Sequence, residues 1–417
     1  MKHFLFIVSF ILLSQLTYTQ DIEGCTDQQA NNYNELATIN DGSCTYNPTI
    51  YKPNFRYLLP LEVEETSGLI YYADGFWTHN DSGGQPIIYK LDTLTGEVIQ
   101  RITLTGRQNI DWEDIAQDEN FIYVGDHGNN SGNRDDLAIY IVDKNDIVAT
   151  GDAEVESELI TYTYSDYPGK IEKKKNNNFD CEAMIATDQF LYLFSENRGD
   201  NQSKLYKLPK TAGDFTAELI NTFNTAGLVT GADLNEDDNE LILVGYTNGS
   251  WIPFLWVMFD FENENFFAGN KRRIDMINVA ATQTEGICYV KGKQGIISSE
   301  NNPLFNQTMY NFTTSQWTNQ QASFINETAK SDFDFTISPN PVSKKKLTLY
   351  FDKLPANHYE IAIYDSMGNI MKTEKYSFNR SETGVKIKIK LYNFSRGLYF
   401  VRVGSDKGMV EKKFIKE

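Results

Sequence analysis

Histidine and cysteine are scarce in this chain, with four of each among 417 residues. Four cysteines are few for a secreted protein of this length, and the abundant metal ligands are oxygens rather than imidazoles. Positive charge is also short: 38 Lys and Arg stand against 57 Asp and Glu, a balance of −19. The deficit is uneven. Residues 331–417 carry 16 basic and 10 acidic side chains, or +6, which leaves −25 on residues 1–330. A body that acidic excludes nucleic acid as a partner, because phosphates need Lys and Arg to neutralise them. It equally disfavours an anionic membrane surface, and it fits a soluble secreted protein or one that collects cations.

Long apolar runs are missing. The strongest, residues 4–13, follows Met1-Lys2-His3 and precedes a polar stretch ending at Gln20. It is too short to span a bilayer, and the arrangement is that of a secretory signal peptide over residues 1–20. No other segment reaches the ~20 apolar residues of a transmembrane helix, so none is expected in the mature protein. Long helical periodicity is absent as well, while Tyr, Phe and Trp are plentiful and Gly and Pro punctuate many turns. The fold class expected is all-β. No Gly-x-Ser-x-Gly, His-Glu-x-x-His or phosphate-binding Gly loop occurs.

What is present is a repeat. Between residues 51 and 327 a two-part phrase recurs. Its first half is an acidic or polar residue opening an apolar strand: Glu65-Thr66-Ser67-Gly68-Leu69, Asp111-Trp112-Glu113-Asp114-Ile115, Asp180-Cys181-Glu182-Ala183-Met184, Thr230-Gly231-Ala232-Asp233-Leu234 and Thr284-Glu285-Gly286-Ile287. Its second half ends the next strand on polar residues, at Asn80-Asp81, Asp126-His127, Glu196-Asn197, Tyr246-Thr247 and Glu300-Asn301. Two further strands follow each phrase. Four strands at a period near fifty residues is the pattern of a β-propeller. Five blades are legible. The strand at residues 55–63 is placed to close the last one, and a sixth blade stays open for the stretch after Phe305. The run around Lys173-Lys174-Lys175 reads as a solvated insertion.

In such a ring the entry of each innermost strand faces the channel mouth. Glu65, Glu113, Glu182 and Glu285 are therefore expected around one circle, with Asn80, Asp126, Glu196 and Glu300 beside them. Clustered carboxylates repel, and burial raises their pKa values. A cation or a set of hydrogen bonds relieves this; turn-forming acids that accept backbone N–H bonds are the plainer alternative. Calcium is the cation that suits all-oxygen ligands, which makes Glu113, Asp126, Glu182, Glu196, Glu285 and Glu300 the candidate ligands. His127 and His79 stand next to acids and are the candidates for proton transfer. Arg134 and Arg198 are expected to pair on the surface with Asp135, Asp136 or Asp200. Trp77, Trp112, Trp251 and Trp256 are read either as sugar-stacking rings or as blade packing.

The Glu-Gly-Ile and Glu-Asp-Ile phrases, followed by strands ending in Ser-Glu-Asn or Gly-Asp-His, resemble the phytase-like and SdiA-regulated propellers of bacteria. The resemblance implies a calcium-dependent phosphoesterase or esterase with those acids as ligands or bases. The chain departs from it in lacking clustered Lys and Arg to grip phosphate. A rigid platform for a glycan or protein ligand is the competing function, and the one favoured here.

The two ends carry addresses. Residues 335–417 alternate apolar and polar over about seven short strands, as a small Ig-like sandwich would. Ser338-Pro339-Asn340-Pro341, Ile361-Ala362-Ile363-Tyr364-Asp365-Ser366-Met367-Gly368, Leu398-Tyr399-Phe400-Val401-Arg402-Val403 and Lys412-Lys413-Phe414-Ile415-Lys416 resemble the type A sorting domain of the type IX secretion system of Bacteroidetes. That resemblance implies handling by the type IX machinery and release, or attachment to surface lipopolysaccharide. Near the other end, residues 21–50 resemble a cysteine-bracketed module of secreted bacterial proteins. So short a segment cannot bury a core, so a Cys25–Cys44 disulfide is expected. Its Asp27, Asn31, Asn40 and Asp41 either hold calcium or form turns. Cys181 and Cys288 are left as free thiols or a second bridge. Residues 328–334 are a linker.

Overall fold

The computed structural model describes residues 21–169, 175–276, 279, 283–318, 333–354, 358–365, 370–378, 382–392, 394–405 and 408–417. The signal peptide, most of the linker and Lys173-Lys174 of the insertion lie outside them. The chain divides into two compact units, Met1–Ser315 and Gln316–Glu417.

The first unit is a five-bladed β-propeller. Blade one is built from Thr66–Tyr72, Gly75–Asn80, Ile87–Asp92 and Val98–Leu104, antiparallel in that order. Blade two uses Trp112–Gln117, Phe121–Asp126, Ala138–Asp143 and Glu158–Tyr164. Blade three uses Cys181–Ala186, Phe190–Ser195, Ser203–Pro209 and Gly213–Phe223. Blade four uses Leu228–Asn235, Glu240–Tyr246, Pro253–Phe259 and Asn270–Asp275. Blade five takes Thr284–Lys291, Gln294–Ser299 and Thr308–Thr313 from the end of the unit and Asn54–Leu58 from its beginning. That outer strand closes the ring as expected, and the stretch after Phe305 supplies blade five rather than a sixth blade.

The core is a set of wedges between neighbouring blades rather than one central cluster. Ile70, Trp77, Ile88, Trp112, Ile115 and Val124 fill the wedge between blades one and two, and Met184, Tyr206, Ile139 and Tyr162 the next. Strands buried on both faces read as near-continuous apolar runs, as in Leu241, Ile242, Leu243 and Val244, all with no exposure. Trp77 and Trp112 are therefore blade packing.

Several outer edges are covered. Ala153–Val155 pairs in parallel with the outer strand of blade one, and Glu158–Tyr164 pairs in parallel with Gly213–Phe223, fusing blades two and three into one sheet of eight strands. Thr49–Ile50 extends blade four in the same way. Such additions satisfy backbone groups that an open edge would expose. The disulfide between Cys25 and Cys44 is formed, and Cys181 and Cys288 are buried free thiols.

The small module is not a free appendage. It packs on blade four, where Arg272 donates to Gln29 Oε1 at 2.7 Å and lies over the Tyr46 ring at 4.9 Å. Gly42 adopts φ +69°, and a Cβ on it would sit 2.1 Å from the Ala268 carbonyl oxygen. The module's acids make turns. Asp27 accepts from the Gln29 amide and the Tyr46 hydroxyl, each at 2.8 Å, Asn40 accepts from the Gly42 amide, and Asp41 from the Ser43 amide.

The second unit is a two-sheet sandwich. Phe335–Ser338, Lys346–Leu354 and Glu382–Lys390 form one sheet; Ile370–Ser377, His358–Asp365, Gly397–Ser405 and Gly408–Lys416 form the other. Alternate residues Leu347, Leu349 and Phe351 meet Ile361, Ile363, Val401 and Phe414 inside it. No helix among the described residues is long and apolar enough to cross a membrane.

Candidate functional site

Strand register defines two circles of side chains at one end of the channel. Trp112 pairs with Asp126 and Asp114 with Gly125, so Glu113 is an extra residue bulging from its strand. Glu182, Thr230 and Glu285 bulge in the same way, between Cys181 and Ala183, Val229 and Gly231, and Thr284 and Gly286. Bulges re-aim a side chain, and here they recur in the innermost strands of four blades. In blade one the phase-matched residue is Ser67, whose hydroxyl donates to the Glu113 carbonyl at 2.5 Å. Thr230 donates likewise to the Thr284 carbonyl at 2.6 Å. Glu65, expected in this circle, is exposed.

The second circle comprises Asp81, His127, Glu196 and Glu300, each just past the end of its second strand, and Tyr246, the last residue of that strand in blade four. Three of them bond alike to the chain two residues before the first circle. The amide of Asp81 donates to Glu65, that of Glu196 to Asp180 and that of Glu300 to Gln283.

Together these positions make a dense carboxylate cluster. Oxygens of Asp81, Asp111 and Glu113 lie within 4.8 Å of one another, and so do oxygens of Glu113, Asp180 and Glu182. Glu113 belongs to both triads. All of Glu113, Asp180, Glu182, Glu196, Glu285 and Glu300 are buried. Burial raises the Glu113 carboxyl well above its ordinary range, and the charges of Asp81 and Asp111 add to the shift. Glu182 is raised by burial and then by Glu113 and Glu196. Burial, with Glu285 and Asp111 nearby, pushes Asp81 up to about 8. Glu300 reaches about 11 through burial, repulsion from Glu285 and a proton shared with that residue. Buried oxygens Asp81 Oδ1 and Glu300 Oε1 have no hydrogen-bond partner among the described residues.

Two arginines offset part of this charge. Arg198 reaches Asp180 at 2.7 Å and Glu196 at 2.8 Å. The sequence pairing with Asp200 is thus corrected: Arg198 turns inward to the cluster. Arg134 does bond Asp136, at 2.9 Å, but it also meets Asp126 at 3.0 Å. Asp126 further accepts from the Tyr140 hydroxyl and the Asp111 amide. Both of its oxygens are thereby occupied by protein donors, and it belongs to neither triad.

The expected residues separate accordingly. Glu113, Glu182, Glu196, Glu285 and Glu300 converge, whereas Asp126 is held in an ion pair and His79 and His127 sit apart. His79 is fully buried, its ring edge-on to Trp112 with Nδ1 3.1 Å from the Asn80 carbonyl oxygen. Burial lowers it to about 4. His127, lowered by burial to about 3, turns toward Tyr162. Both rings are fully buried and belong to neither carboxylate triad. Asp81, Asp111 and Asp180 were missed from the sequence. The signal was there in Asp111-Trp112-Glu113 and Asp180-Cys181-Glu182, where an acid stands immediately before the innermost strand and two residues ahead of the bulged Glu.

Residues 336–417 match the family model of the secretion system C-terminal sorting domain. That segment directs the protein to the cell surface or the medium through the type IX secretion system. No curated protein matches the chain. Among solved structures, the chain is similar to an exo-β-1,3-galactanase from Phanerochaete chrysosporium, with 10% identity, 88% of this chain and 99% of that chain covered, and a TM-score of 0.43. It is also similar to a PQQ-bound aldose sugar dehydrogenase from Streptomyces coelicolor, at 9% identity, 64% and 99% coverage and a TM-score of 0.37. A GH43_1 enzyme from Xanthomonas citri matches at 10% identity, 64% and 90% coverage and a TM-score of 0.37.

Proposed function

We propose that this protein, exported by its type IX sorting domain, is a binding module whose propeller channel holds calcium and presents it to an extracellular ligand. The observation that carries this reading is the pair of carboxylate triads joined at Glu113. Oxygens that close suit the 2.3–2.6 Å bonds of calcium, roughly, since two ligands on one ion stand about 3–5 Å apart. Without a cation, the cluster relieves its repulsion only by holding protons, as the upward shifts of Asp81, Glu196 and Glu300 express. Glu113, Asp111, Asp81, Asp180 and Glu182 would hold the ion, and Asp81 Oδ1 is a buried acceptor with no donor among the described residues. A calcium ion there would supply an electrophilic point for ligand oxygens.

The test is calcium titration of chelator-treated protein by calorimetry, alongside elemental analysis. The expected result is stoichiometric calcium that Glu113→Gln abolishes. A wild-type protein that takes up no divalent cation would overturn the reading.

A second reading rests on a separate observation, the Glu285–Glu300 pair. Burial raises both carboxyls and a hydrogen bond joins them, so one holds a proton that the other accepts, the starting arrangement of an acid–base pair. Turnover on ester, lactone or phosphate substrates, lost on chelation and in Glu300→Gln, would favour a calcium-dependent hydrolase over a binding module.

A further inference from the structure

Trp251 is an exposed aromatic residue at the end of blade four that carries the carboxylate cluster. It lies in the turn joining the second and third strands of blade four, at the same end as Glu196 and Glu300. It is 42% exposed, whereas Trp77 and Trp112 are packed inside the blades. Its ring stacks parallel on Tyr246, with centroids 5.1 Å apart and planes 3° from each other. Tyr246 occupies the second-circle position of blade four, and its hydroxyl is raised by burial and by the charges of Glu196, Glu285 and Glu182. One face of the indole is thus seated on Tyr246, which borders the carboxylate cluster, and the residue remains partly open to solvent.

The backbone beneath it is unfavourable. Trp251 adopts φ +55°, a left-handed conformation that a bulky side chain rarely takes. Glycine or asparagine would occupy the position with less strain. The turn is fixed by its own bonds: the Trp251 amide donates to the Thr247 carbonyl at 3.0 Å, and the Ile252 amide to Thr247 Oγ1 at 2.9 Å. An exposed indole in a strained conformation gives up folding stability. Such an outlier points to a role in binding.

We propose that Trp251 is the stacking platform for a neutral sugar ring whose neighbouring hydroxyls complete the shell of the channel cation; this rests on the calcium reading above. The chemistry of the two groups selects the ligand. A flat indole face accepts the C–H face of a pyranose while leaving its hydroxyls at the edge. A calcium ion takes hydroxyl oxygens into its six to eight ligands, roughly, and a cis pair on adjacent carbons presents two at once. A body of −25 repels a polyanionic glycan, so an uncharged sugar fits the field better than a polyuronate.

The experiment compares wild type, Trp251→Gly and Trp251→Asn by affinity electrophoresis, with calcium present, through gels containing 1,4-linked mannan or 1,6-linked galactan, whose sugars keep a free cis pair of hydroxyls, dextran, which has none, or alginate, a polyuronate. Thermal stability and calcium uptake are measured on the same samples. The expected result is that wild type is retarded by mannan or galactan and that chelation releases it. Both variants should lose at least tenfold in retardation, with calcium uptake kept and melting temperature unchanged or raised. A ring serving only the fold would instead lower the melting temperature and leave retardation unaltered. Calcium-loaded wild type that mannan and galactan fail to retard, or that alginate or dextran retards as strongly, overturns the proposal. Wild type that takes up no calcium but is still retarded removes the cation-bridged ligand proposed here, and with it the calcium reading. Failure of the sugar arm alone leaves that earlier reading standing.

Discussion

Gly128 passes so close to Glu113 that a Cβ on it would lie 1.9 Å from the carboxylate oxygen Oε1 and 2.6 Å from the carboxyl of Asp111. No side chain fits between that backbone and the two acids, so the glycine fixes where Glu113 sits. Gly128→Ala must displace the carboxylate that both triads share. The expected outcome is calcium affinity about tenfold or more weaker, the usual range for a disturbed support of a metal ligand. Calorimetric titration of the variant, with circular dichroism to confirm the fold, checks it.

Arg198 bridges Asp180 and Glu196 at 2.7 and 2.8 Å, and both acids are almost completely buried. Removing one member of a buried pair leaves the remaining charge without compensation. Arg198→Met is expected to destabilise the metal-free propeller by on the order of 3 kcal/mol. Added calcium should recover part of the loss, since a cation can take over the role of the guanidinium. Denaturant unfolding with and without calcium measures both effects.

Much of the propeller is legible because its repeat is written in strand-ending polar residues, and the closing strand is legible as the apolar run just ahead of the first phrase. The first circle is legible at Glu113, Glu182 and Glu285, which share one phase in their phrases, but not at Glu65, which stands two residues ahead of Ser67, the residue that holds that phase. What misled was matching the second circle by chemistry. Aligning acid with acid put Asn80 and Asp126 alongside Glu196 and Glu300, but the strand ladder puts Asp81 and His127 there. The slip is one residue, enough to turn Asp126 onto Arg134 and Tyr140. Burial could not be read either. His79 and His127 stand beside acids in sequence yet are enclosed by Trp112 and Tyr162, contacts made by other strands. Likewise the inward reach of Arg198 depends on Asp180, which lies eighteen residues away.

The Cys25–Cys44 bridge closes a loop of nineteen residues in a module with almost no core of its own. In the chain-entropy picture such a loop contributes about 3 kcal/mol. Replacing both cysteines by alanine is expected to loosen the module from blade four while the five blades stay folded. Hydrogen exchange should then rise in residues 21–50 and along Asn270–Asp275, whose edge the module covers. Unchanged protection there would show that Arg272 and Gly42 hold the module without the bridge.

The buried acids also set a pH dependence whose sign depends on the cation. Asp81 and Glu196 are raised to about 8 and Glu300 to about 11, each mainly by burial, from ordinary values near 4. Between about pH 4 and about pH 8 the metal-free folded state therefore holds protons that the unfolded chain has released. Stability falls with rising pH wherever the folded state binds more protons. The contribution of these groups is complete below their unfolded pKa values. It is lost as pH climbs through about 8 for Asp81 and Glu196, and through about 11 for Glu300. Chelated protein should thus melt at a higher temperature at about pH 5 than at about pH 9. Saturating calcium inverts the order, because the cation binds ionised carboxylates and stabilises only the folded state. Melting curves at both pH values, with chelator and with calcium, test the sign. Glu113→Gln separates the two causes: its melting temperature should respond little to calcium at either pH, while the fall with rising pH remains through Asp81, Glu196 and Glu300.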